Sequence, residues 1–376
     1  MDPGFDGCKV CINGFLLNIP FSIYEINKET QFITNSSSKD FIRSEVDGKM
    51  YLLGEEAKIS LLEKKQRETA GQMDTFYTMG RFASTEFKVA LKSFLGYALY
   101  EYEQYCATKN EKNPFTIKAL NTGKVELNVG IALPHSQKDE IWENNVKAIL
   151  LEPMDFTIRV GASEPVDFHI KLSEENIGMN SQVLSAMYCA ILDEKGKVKE
   201  GSLSRTALPM LVIDAGYLTV GIFLLSRTGQ VVFAKSNQEF AMHNVNERTA
   251  NIIKQHISNV TSYNIETLAK DNEELYYKKD NGEYDYYNVA ELRKAEIERA
   301  ATNLTSYLVK EFDDLLDIKS IIMAGGTGEK YFEHMKPAFD LRKRTSLLVE
   351  PELDGETYDS VYAVVVGLYR TMLTSF

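Results

Sequence analysis

The sequence is poor in the features that mark secreted or membrane-spanning chains. No apolar run approaches the ~20 residues that cross a bilayer, and the N-terminus resembles neither a signal peptide nor an amphipathic membrane helix. There are only four cysteines, Cys8, Cys11, Cys106 and Cys189. They show no disulfide-like spacing, which is typical of a reducing compartment. We therefore expect a cytoplasmic protein without a membrane partner.

Positive charge is also scarce. The chain has 42 lysines and arginines against 54 aspartates and glutamates, so its net charge is −12. An acidic surface repels the phosphates of DNA, which argues against direct DNA binding without a localised basic patch. Any link between this protein and DNA is therefore expected to need a partner protein.

Two of the cysteines form a Cys8-x-x-Cys11 pair, a spacing also found in metal and redox sites. The surrounding residues are predicted to form a strand, in which side chains three positions apart point to opposite faces. The two thiols therefore cannot hold one metal ion. We interpret both as small strand residues.

The chain contains enough apolar material for two hydrophobic cores. Of its 376 residues, 44% are hydrophobic and 26% are charged, as in globular proteins, and the length suggests two domains. In the central stretch Leu211 to Leu225, two apolar runs flank the polar segment Asp214 to Thr219. This pattern predicts a strand, a tight turn and a second strand.

The segment Asp214–Thr219, called the second turn below, has residues suited to a phosphate site. Gly216 lets a phosphate approach the backbone, and consecutive amide N–H groups in such a turn bind anions. The Asp214 carboxylate can hold the water shell of Mg²⁺, and Thr219 adds a hydroxyl donor. Taken alone, such a turn is more often an ordinary hairpin.

The pattern occurs twice, and a further glycine turn follows. The opening Asp2-x-Gly4, within the first turn (residues 2–9), matches Asp214-x-Gly216. The third turn, Gly325–Thr327, follows an apolar strand and precedes a helical pattern. Two acid–glycine hairpins, one in each half, can clamp a polyphosphate and its metal between two domains. The third turn can then carry the nucleoside.

In these turns the chain resembles the actin-like ATPases, within the superfamily of actin, heat-shock chaperones and sugar kinases. The three turns are similar to that superfamily's phosphate-1, phosphate-2 and adenosine motifs, and D-P-G-F-D-G-C-K is close to the actin form of phosphate-1. The length and the middle of the chain look most like bacterial plasmid-segregation proteins of the ParM type. The resemblance implies an α/β actin-like fold of two related domains, each a mixed sheet flanked by helices, with a nucleotide cleft between them.

The resemblance also implies catalytic and metal-binding residues. Asp2 and Asp214 would hold hydrated Mg²⁺, and Lys9 would reach the phosphates. Gln182 falls at the position where the family has a residue that orients the attacking water. Asp214 and Asp2 would act together with it in catalysis. A neutral amide aligns water but cannot take its proton. The alternative is that Gln182 is a polar residue at a helix N-terminus without a catalytic role.

Nucleotide contacts are implied at all three turns and at one helix. Lys254 and Gln255 loosely resemble the actin positions that border the purine. The implied nucleotide-binding residues are Gly4, Phe5, Asp6, Gly7, Lys9, Gly216, Tyr217, Leu218, Thr219, Lys254, Gln255, Gly325, Gly326 and Thr327.

Apolar periodicity predicts the framework around these turns. Predicted helices cover Phe87–Tyr102, a segment from Asn180 to Ile191, Glu247–Ser258, Ile297–Leu315 and Asp359–Leu373. Strands or hairpins are predicted at Val125–Leu133, Phe156–Ile170 and Asp271–Asn288. Ala363 and Gly367 are expected to permit a close crossing with the Gln182 helix.

The family's organisation implies the domain boundaries. Domain I would comprise residues 1–205 and 352–376, with a small upper subdomain at about 35–85, and domain II would comprise residues 206–351. The chain departs from the family at its start: a buried strand usually leads into the first aspartate, whereas here only Met1 precedes Asp2. Either that strand is short or the chain starts further upstream.

By resemblance, the expected function is ATP hydrolysis, or GTP hydrolysis, with Mg²⁺ in the cleft, coupled to polymerisation. The implied partners are further copies of the chain in a filament and a DNA-binding adaptor of a plasmid partition system. The alternative is a soluble small-molecule kinase of the same superfamily, although no sugar-kinase substrate motif is evident. A scaffold with a relic nucleotide site is the third possibility, against which the intact Asp2, Lys9, Gln182 and Asp214 argue.

Overall fold

The computed structural model describes residues 1–5, 7–27, 38–67, 80–134, 140–200 and 207–375, apart from the side chains of 62–67 and 375. The chain forms two compact units. Unit 1 comprises Met1–Ser181 and Leu368–Phe376, and unit 2 comprises Gln182–Gly367. The predicted domain boundaries after residues 205 and 351 rest on the resemblance and stay a prediction.

Among its described residues, unit 1 contains ten strands and four α-helices, besides part of the last helix of the chain. The strands are β1 (Asp2–Pro3), β2 (Cys8–Ile12), β3 (Phe15–Ile19), β4 (Ile23–Ile26), β5 (Ile42–Val46), β6 (Lys49–Leu53), β7 (Val129–Leu133), β8 (Met154–Val160), β9 (Val166–Ile170) and β10 (Ile177–Ser181). The helices are α1 (Glu55–Arg67), α2 (Thr85–Lys109), α3 (Ile117–Asn121) and α4 (Glu140–Leu151).

The elements of unit 2 alternate between strands and helices. They are α5 (Gln182–Ile191), β11 (Met210–Ala215), β12 (Val220–Leu225), β13 (Val231–Asn237), α6 (Met242–Ile253), α7 (Ile265–Lys270), β14 (Glu274–Lys278), β15 (Tyr284–Asn288), α8 (Val289–Glu311), β16 (Ser320–Ala324), α9 (Gly326–Leu341), β17 (Thr345–Leu348), β18 (Glu352–Leu353) and β19 (Glu356–Thr357). Helix α10 (Ala363–Ser375) runs from unit 2 into unit 1.

A mixed five-stranded sheet organises unit 2, in the order β13-β12-β11-β16-β17. Strands β11, β12 and β13 form an antiparallel meander, whereas β16 and β17 run parallel to β11. The predicted strand–turn–strand at Leu211–Leu225 is therefore confirmed. Strand β11 is buried along its whole length, as its continuous apolar run requires.

Unit 1 repeats this strand order at its own glycine turn. Strands β1, β2 and β3 form an antiparallel meander, and β7 pairs in parallel with β10. Met1 connects the two groups, because its amino group donates to the Gly130 carbonyl at 2.6 Å and its carbonyl accepts from the Ala132 amide at 3.0 Å. The α/β fold with two related mixed sheets is thus confirmed, with a β1 of only two residues.

A second sheet in unit 1 has the order β4-β6-β5-β8-β9, and all its neighbouring strands are antiparallel. Helix α1 packs against β4 and β6. The hairpin predicted at 156–170 is confirmed as β8 and β9. Within the expected small subdomain of about 35–85, the described elements are β5, β6, α1 and the turn Arg81–Ala83; residues 35–37 and 68–79 lie outside the described residues.

The predicted helices exist, but several boundaries differ. Helix α2 extends the predicted Phe87–Tyr102 in both directions, and the Ser84 hydroxyl caps it by accepting from the Phe87 amide at 3.1 Å. Helix α5 begins at Gln182 instead of residue 180, because Asn180 and Ser181 pair with β7. Helix α6 begins five residues before the predicted Glu247 and ends at Ile253. None of the helices in the described ranges is both long and apolar enough to cross a membrane.

The predicted close crossing of α10 and α5 is confirmed at Gly367. A Cβ atom there would overlap the carbonyl oxygen of Ser185 and lie 2.7 Å from the Cys189 amide nitrogen. Two helix backbones therefore approach each other at a distance that only glycine permits.

Gly367→Ala is expected to destabilise the protein by about 3 kcal/mol, because overlap with backbone cannot be relieved by moving a side chain. This loss outweighs the roughly 1 kcal/mol by which alanine is favoured over glycine in a helix. Urea unfolding would measure it, with Gly80→Ala as control because nothing lies within 4 Å of a Cβ there. Equal stability of the two variants would contradict the proposed crossing.

Candidate functional site

The first turn connects β1 to β2 and is held by backbone hydrogen bonds. Asp2 pairs with Lys9 across the two strands, and the Gly4 amide donates to the Asp2 carbonyl at 2.9 Å. Asp2 and Phe5 are buried, whereas Lys9 is half-buried. Asp6 lies outside the described residues. The strand pair therefore places a carboxylate side chain, Asp2, and an ammonium side chain, Lys9, at the two ends of one glycine turn.

The charged side chains of the first turn converge on Gly4. A Cβ on Gly4 would lie 3.1 Å from the Lys9 ammonium nitrogen and 3.9 Å from an oxygen of the Asp2 carboxylate. Gly7 lacks room for a side chain as well, because a Cβ would lie 2.6 Å from the Asn18 side-chain oxygen. The turn thus carries an ammonium group where a phosphate oxygen could bind, and a carboxylate beside it.

Cys8 follows this turn and is fully buried. Burial is the main cause that raises the pKa of its thiol to about 12. Cys11 is only half-buried and forms no disulfide bond. The described residues contain no group of three or more histidine, cysteine, aspartate or glutamate side chains that could by themselves hold a metal ion.

The second turn connects β11 to β12 and is tied to two helices. Its Gly216 amide donates to the Thr219 carbonyl at 2.9 Å, which closes the turn. The Tyr217 carbonyl accepts from the His243 amide of α6 at 2.8 Å, and the Gly216 carbonyl accepts from the Thr327 hydroxyl of α9 at 2.9 Å. Residues 216–219 are all half-buried, so the turn remains partly open to solvent.

The third turn packs directly on the second turn. Gly325 has φ +89°, a left-handed conformation that glycine adopts without strain. A Cβ there would overlap the Ala215 carbonyl oxygen and lie 2.9 Å from a carboxylate oxygen of Asp214. Because Gly325 precedes α9, the N-terminus of a 16-residue helix lies beside the Asp214 carboxylate. The structure therefore brings the second and third turns together in unit 2. Their shared role in nucleotide binding stays a prediction.

Gln182 is the first residue of α5 and is half-buried. Helix α5 packs against β11 and β12, and a Cβ on Gly221 would collide with the side chain of Val183. Gly221 is the cross-strand partner of Asp214. The N-terminus of α5 thus lies near the strand pair that carries Asp214, within unit 2.

A cavity of about 410 Å³ opens among α7, α8 and α9. Lys330, in the second turn of α9 after Gly326, is one of its lining residues. The lining residues are Glu266, Ala269, Lys270, Ala290, Arg293, Lys294, Ile297 and Lys330. Four cationic side chains and one carboxylate therefore line the cavity. Its lining residue Lys330 lies three residues after Thr327, the last residue of the third turn.

Arg293 and Glu266 organise this cavity. The guanidinium group of Arg293 is buried, and it donates to the Asn246 side-chain oxygen at 2.9 Å and to Glu266 Oε1 at 3.1 Å. The Lys330 ammonium lies 3.6 Å from the same Glu266 oxygen. Lys270 and Lys294 are exposed at the rim. In a protein with a net charge of −12, the cavity is locally cationic and suits an anionic or acceptor-rich ligand.

Sequence analysis missed the residues of this cavity. Ala290, Arg293, Lys294 and Ile297 show the i, i+3, i+4, i+7 spacing of one helix face, but such spacing does not distinguish a binding face from a packing face. Lys254 and Gln255 are exposed, at and just after the end of α6, and neither lines the cavity. Their contact with a purine stays a prediction.

Comparison with known proteins shows the fold. No protein-family model matches the sequence, and no curated protein matches it. Among solved structures, a non-polymerisable quadruple mutant of pCBH ParM is similar with a TM-score of 0.63 and 16% identity, over 98% of this chain and 96% of that one. The actin-like protein Alp7A matches with a TM-score of 0.65 and 14% identity, over 99% and 94%. An archaeal actin homologue in complex with ADP matches with a TM-score of 0.58 and 14% identity, over 99% and 97%.

The chain has an actin-like fold of the ParM type. The matches cover nearly the whole chain, so both units take part in the likeness and neither is an addition to it. Within the actin-like fold, the acid–glycine turns at the ends of β1 and β11 are the repeated feature that the sequence had indicated.

Gly325→Ala is expected to destabilise this actin-like chain by about 3 kcal/mol, because the new Cβ would press on the Ala215 backbone and strain a positive φ. Gly326→Ala is the matched control, since its Cβ would meet only the Val361 side chain at 3.5 Å. Thermal unfolding of both variants would measure the difference. A Gly326 variant as unstable as the Gly325 variant would contradict the close approach of the two turns.

The Cys8 thiol is expected to resist alkylation at pH 8.5 in the folded protein, whereas half-buried Cys11 reacts. Its pKa of about 12 lies above the ordinary value of 9.0. The neutral buried thiol therefore favours folding below pH 9, and this contribution is lost as the pH rises toward 12. Mass spectrometry after iodoacetamide treatment, with and without urea, would test the prediction. Equal labelling of Cys8 and Cys11 without urea would refute it.

Proposed function

We propose that this protein is a filament-forming nucleoside triphosphatase that binds ATP, or GTP, with Mg²⁺. The observation that carries the proposal is the pair of acid–glycine turns, one at the end of β1 and one at the end of β11, in a full-length actin-like fold. Each turn follows a strand that carries a buried aspartate, Asp2 in β1 and Asp214 in β11. Such repeated placement suits a ligand with several phosphates and a divalent cation.

The residues of the first turn suit phosphate binding. The Lys9 ammonium lies over Gly4, where it would neutralise phosphate charge, and the glycines leave the backbone accessible. Asp2 and Asp214 supply hard carboxylate oxygens, which are the ligands that hydrated Mg²⁺ prefers. When bound, Mg²⁺ would withdraw charge from the phosphate oxygens during transfer to water.

The third turn and the cationic cavity suit the nucleoside. The N-terminus of α9 favours negative charge through its backbone amides, and Thr327 is held in place by its bond to Gly216. Beyond it, Arg293 offers a planar cation that can stack on a purine base. Glu266 can accept a hydrogen bond from an amino group of the base. We assign Glu266, Arg293, Lys294 and Lys330 to base recognition in this cavity. Lys254 and Gln255 do not line it, and their contact with the purine is proposed from the resemblance alone.

Gln182 is proposed to orient the attacking water. It begins the helix that packs on the Asp214 strand pair, and its amide can donate to and accept from water. Asp214, together with Asp2, would fix the hydrated metal beside that water. Hydrolysis then depends on positioning and electrostatics, without a covalent intermediate.

Polymerisation is proposed from the relatives. One similar structure is a non-polymerisable quadruple mutant of a ParM protein. Head-to-tail contacts between identical subunits give open filaments. We propose that such filaments move plasmid DNA through a DNA-binding adaptor, because the net charge of −12 disfavours direct DNA contact.

The experiment that tests this function is right-angle light scattering with simultaneous phosphate release after ATP and Mg²⁺ are added. GTP and a non-hydrolysable analogue serve as parallel samples. A rise in scattering with phosphate release is the expected result. Phosphate release without scattering over a wide range of protein concentration would overturn the filament proposal and favour a soluble kinase or switch ATPase.

Asp214→Asn is expected to lower phosphate release by on the order of 100-fold, because it keeps the shape of the side chain and removes the charge that holds Mg²⁺. Asp317→Asn is the control, since that side chain is 91% exposed. Malachite-green detection of phosphate would measure both. Turnover of the Asp214 variant within twofold of the control would show that the site has been assigned wrongly.

A further inference from the structure

A fully buried arginine lies against the first turn. Arg81 is 0% exposed and belongs to the short helical turn Arg81–Ala83 that precedes α2. Arginine is almost never buried completely unless specific contacts compensate for the lost hydration. The contacts of Arg81 therefore indicate what this charge does in unit 1.

Its contacts converge on the two neighbours of Gly4. The Arg81 guanidinium donates to the Pro3 carbonyl oxygen at 2.6 Å. Its central carbon lies 3.9 Å from the centroid of the Phe5 ring, in a cation–π contact. The rings of Phe21, Phe82 and Phe87 surround it at 5.0–5.9 Å. Arg81 thus holds the first turn on both sides of Gly4.

These contacts fix the orientation of one peptide group. A trans peptide points its carbonyl and its N–H in opposite directions. With the Pro3 carbonyl turned toward Arg81, the Gly4 N–H points the other way and donates to the Asp2 carbonyl at 2.9 Å. Without Arg81, the Pro3 carbonyl could rotate toward the side of Lys9, where its partial negative charge would repel an anion.

We propose that Arg81 is the positioning residue of the first turn and sets its affinity for the nucleotide phosphates. This inference rests on the proposed nucleotide site and adds a residue to it. Arg81 acts through the Pro3 carbonyl and the Phe5 ring, because its own side chain is closed off from solvent. Its positive charge next to the turn also favours the binding of an anion there.

A purely structural arginine would give a different pattern of results. Loss of such a residue lowers stability and leaves the nucleotide affinity of the remaining folded molecules unchanged. Lys92 provides this comparison, because it is a buried cation of α2 in the same unit and its ammonium binds Glu152 at 3.0 Å. Lys92→Met should therefore reduce stability without weakening nucleotide binding.

The test uses the full chain with Arg81→Gln, Arg81→Lys, Phe5→Leu and Lys92→Met. Two quantities are measured: the dissociation constant of a fluorescent ATP analogue with Mg²⁺, and hydrogen exchange of the peptide over residues 1–9 without nucleotide. Arg81→Gln should weaken binding by about tenfold or more and speed exchange in that peptide. Arg81→Lys should give a dissociation constant and an exchange rate between those of Arg81→Gln and wild type, since lysine keeps the charge but lacks the planar stacking group.

Phe5→Leu keeps the proposal testable if Arg81→Gln does not fold. It removes the ring face that Arg81 covers and should weaken binding in the same direction. Wild-type affinity in the folded Arg81 variants, or unchanged exchange over residues 1–9, overturns the inference while the nucleotide site stands. If Lys92→Met weakens nucleotide binding as much as Arg81→Gln does, the inference about Arg81 is also overturned. Absence of binding by the wild-type chain overturns the proposed function, and this inference with it.

Discussion

The packing of Gly325 against the end of β11 is the constraint on which unit 2 depends. A side chain at Gly325 would occupy the space of the Ala215 carbonyl and of the Asp214 carboxylate. The Thr327 hydroxyl donates a hydrogen bond to the Gly216 carbonyl, and the His243 amide donates one to the Tyr217 carbonyl. Backbone packing at Gly325, one side-chain hydroxyl and one backbone amide thus hold the turn. This arrangement keeps a carboxylate and a helix N-terminus side by side.

Unit 1 has the same strand order as the sheet of unit 2, but different contacts connect its strands. Its β1 is two residues long, and Met1 rather than a full strand forms hydrogen bonds with β7. Close backbone packing occurs at the first turn as well, because a Cβ on Gly4 would lie 2.9 Å from the Gly7 carbonyl oxygen and one on Gly7 would lie 3.1 Å from that of Ile19. A buried cation, Arg81, adds its contacts to Pro3 and Phe5 there. Both units therefore fix an acid–glycine turn by backbone packing, and unit 1 adds charge and stacking.

Electrostatics separates the candidate site from the rest of the molecule. The protein carries a net charge of −12, yet Lys9 and Arg81 lie at the first turn in unit 1. In unit 2, Arg293 and Lys330 line the cavity. Burial prevents solvent from screening Arg81 and Arg293 as fully as it screens surface charges. Each unit therefore has a locally cationic region in an otherwise acidic protein, which favours specific over diffuse binding of anions.

The sequence by itself determined the local features. The acid–glycine turns, the hairpin at 156–170 and the core helix at 87–102 were predictable, because side-chain periodicity and glycine conformation depend on near neighbours along the chain. Boundaries such as the start of α5 were not, because pairing of Asn180 with β7 decided them. Only the tertiary structure decided that α7, α8 and α9 enclose a cationic cavity. It also placed Arg81 beside Pro3, 78 residues away in sequence. Such contacts depend on how distant segments pack, which no local pattern of residues encodes.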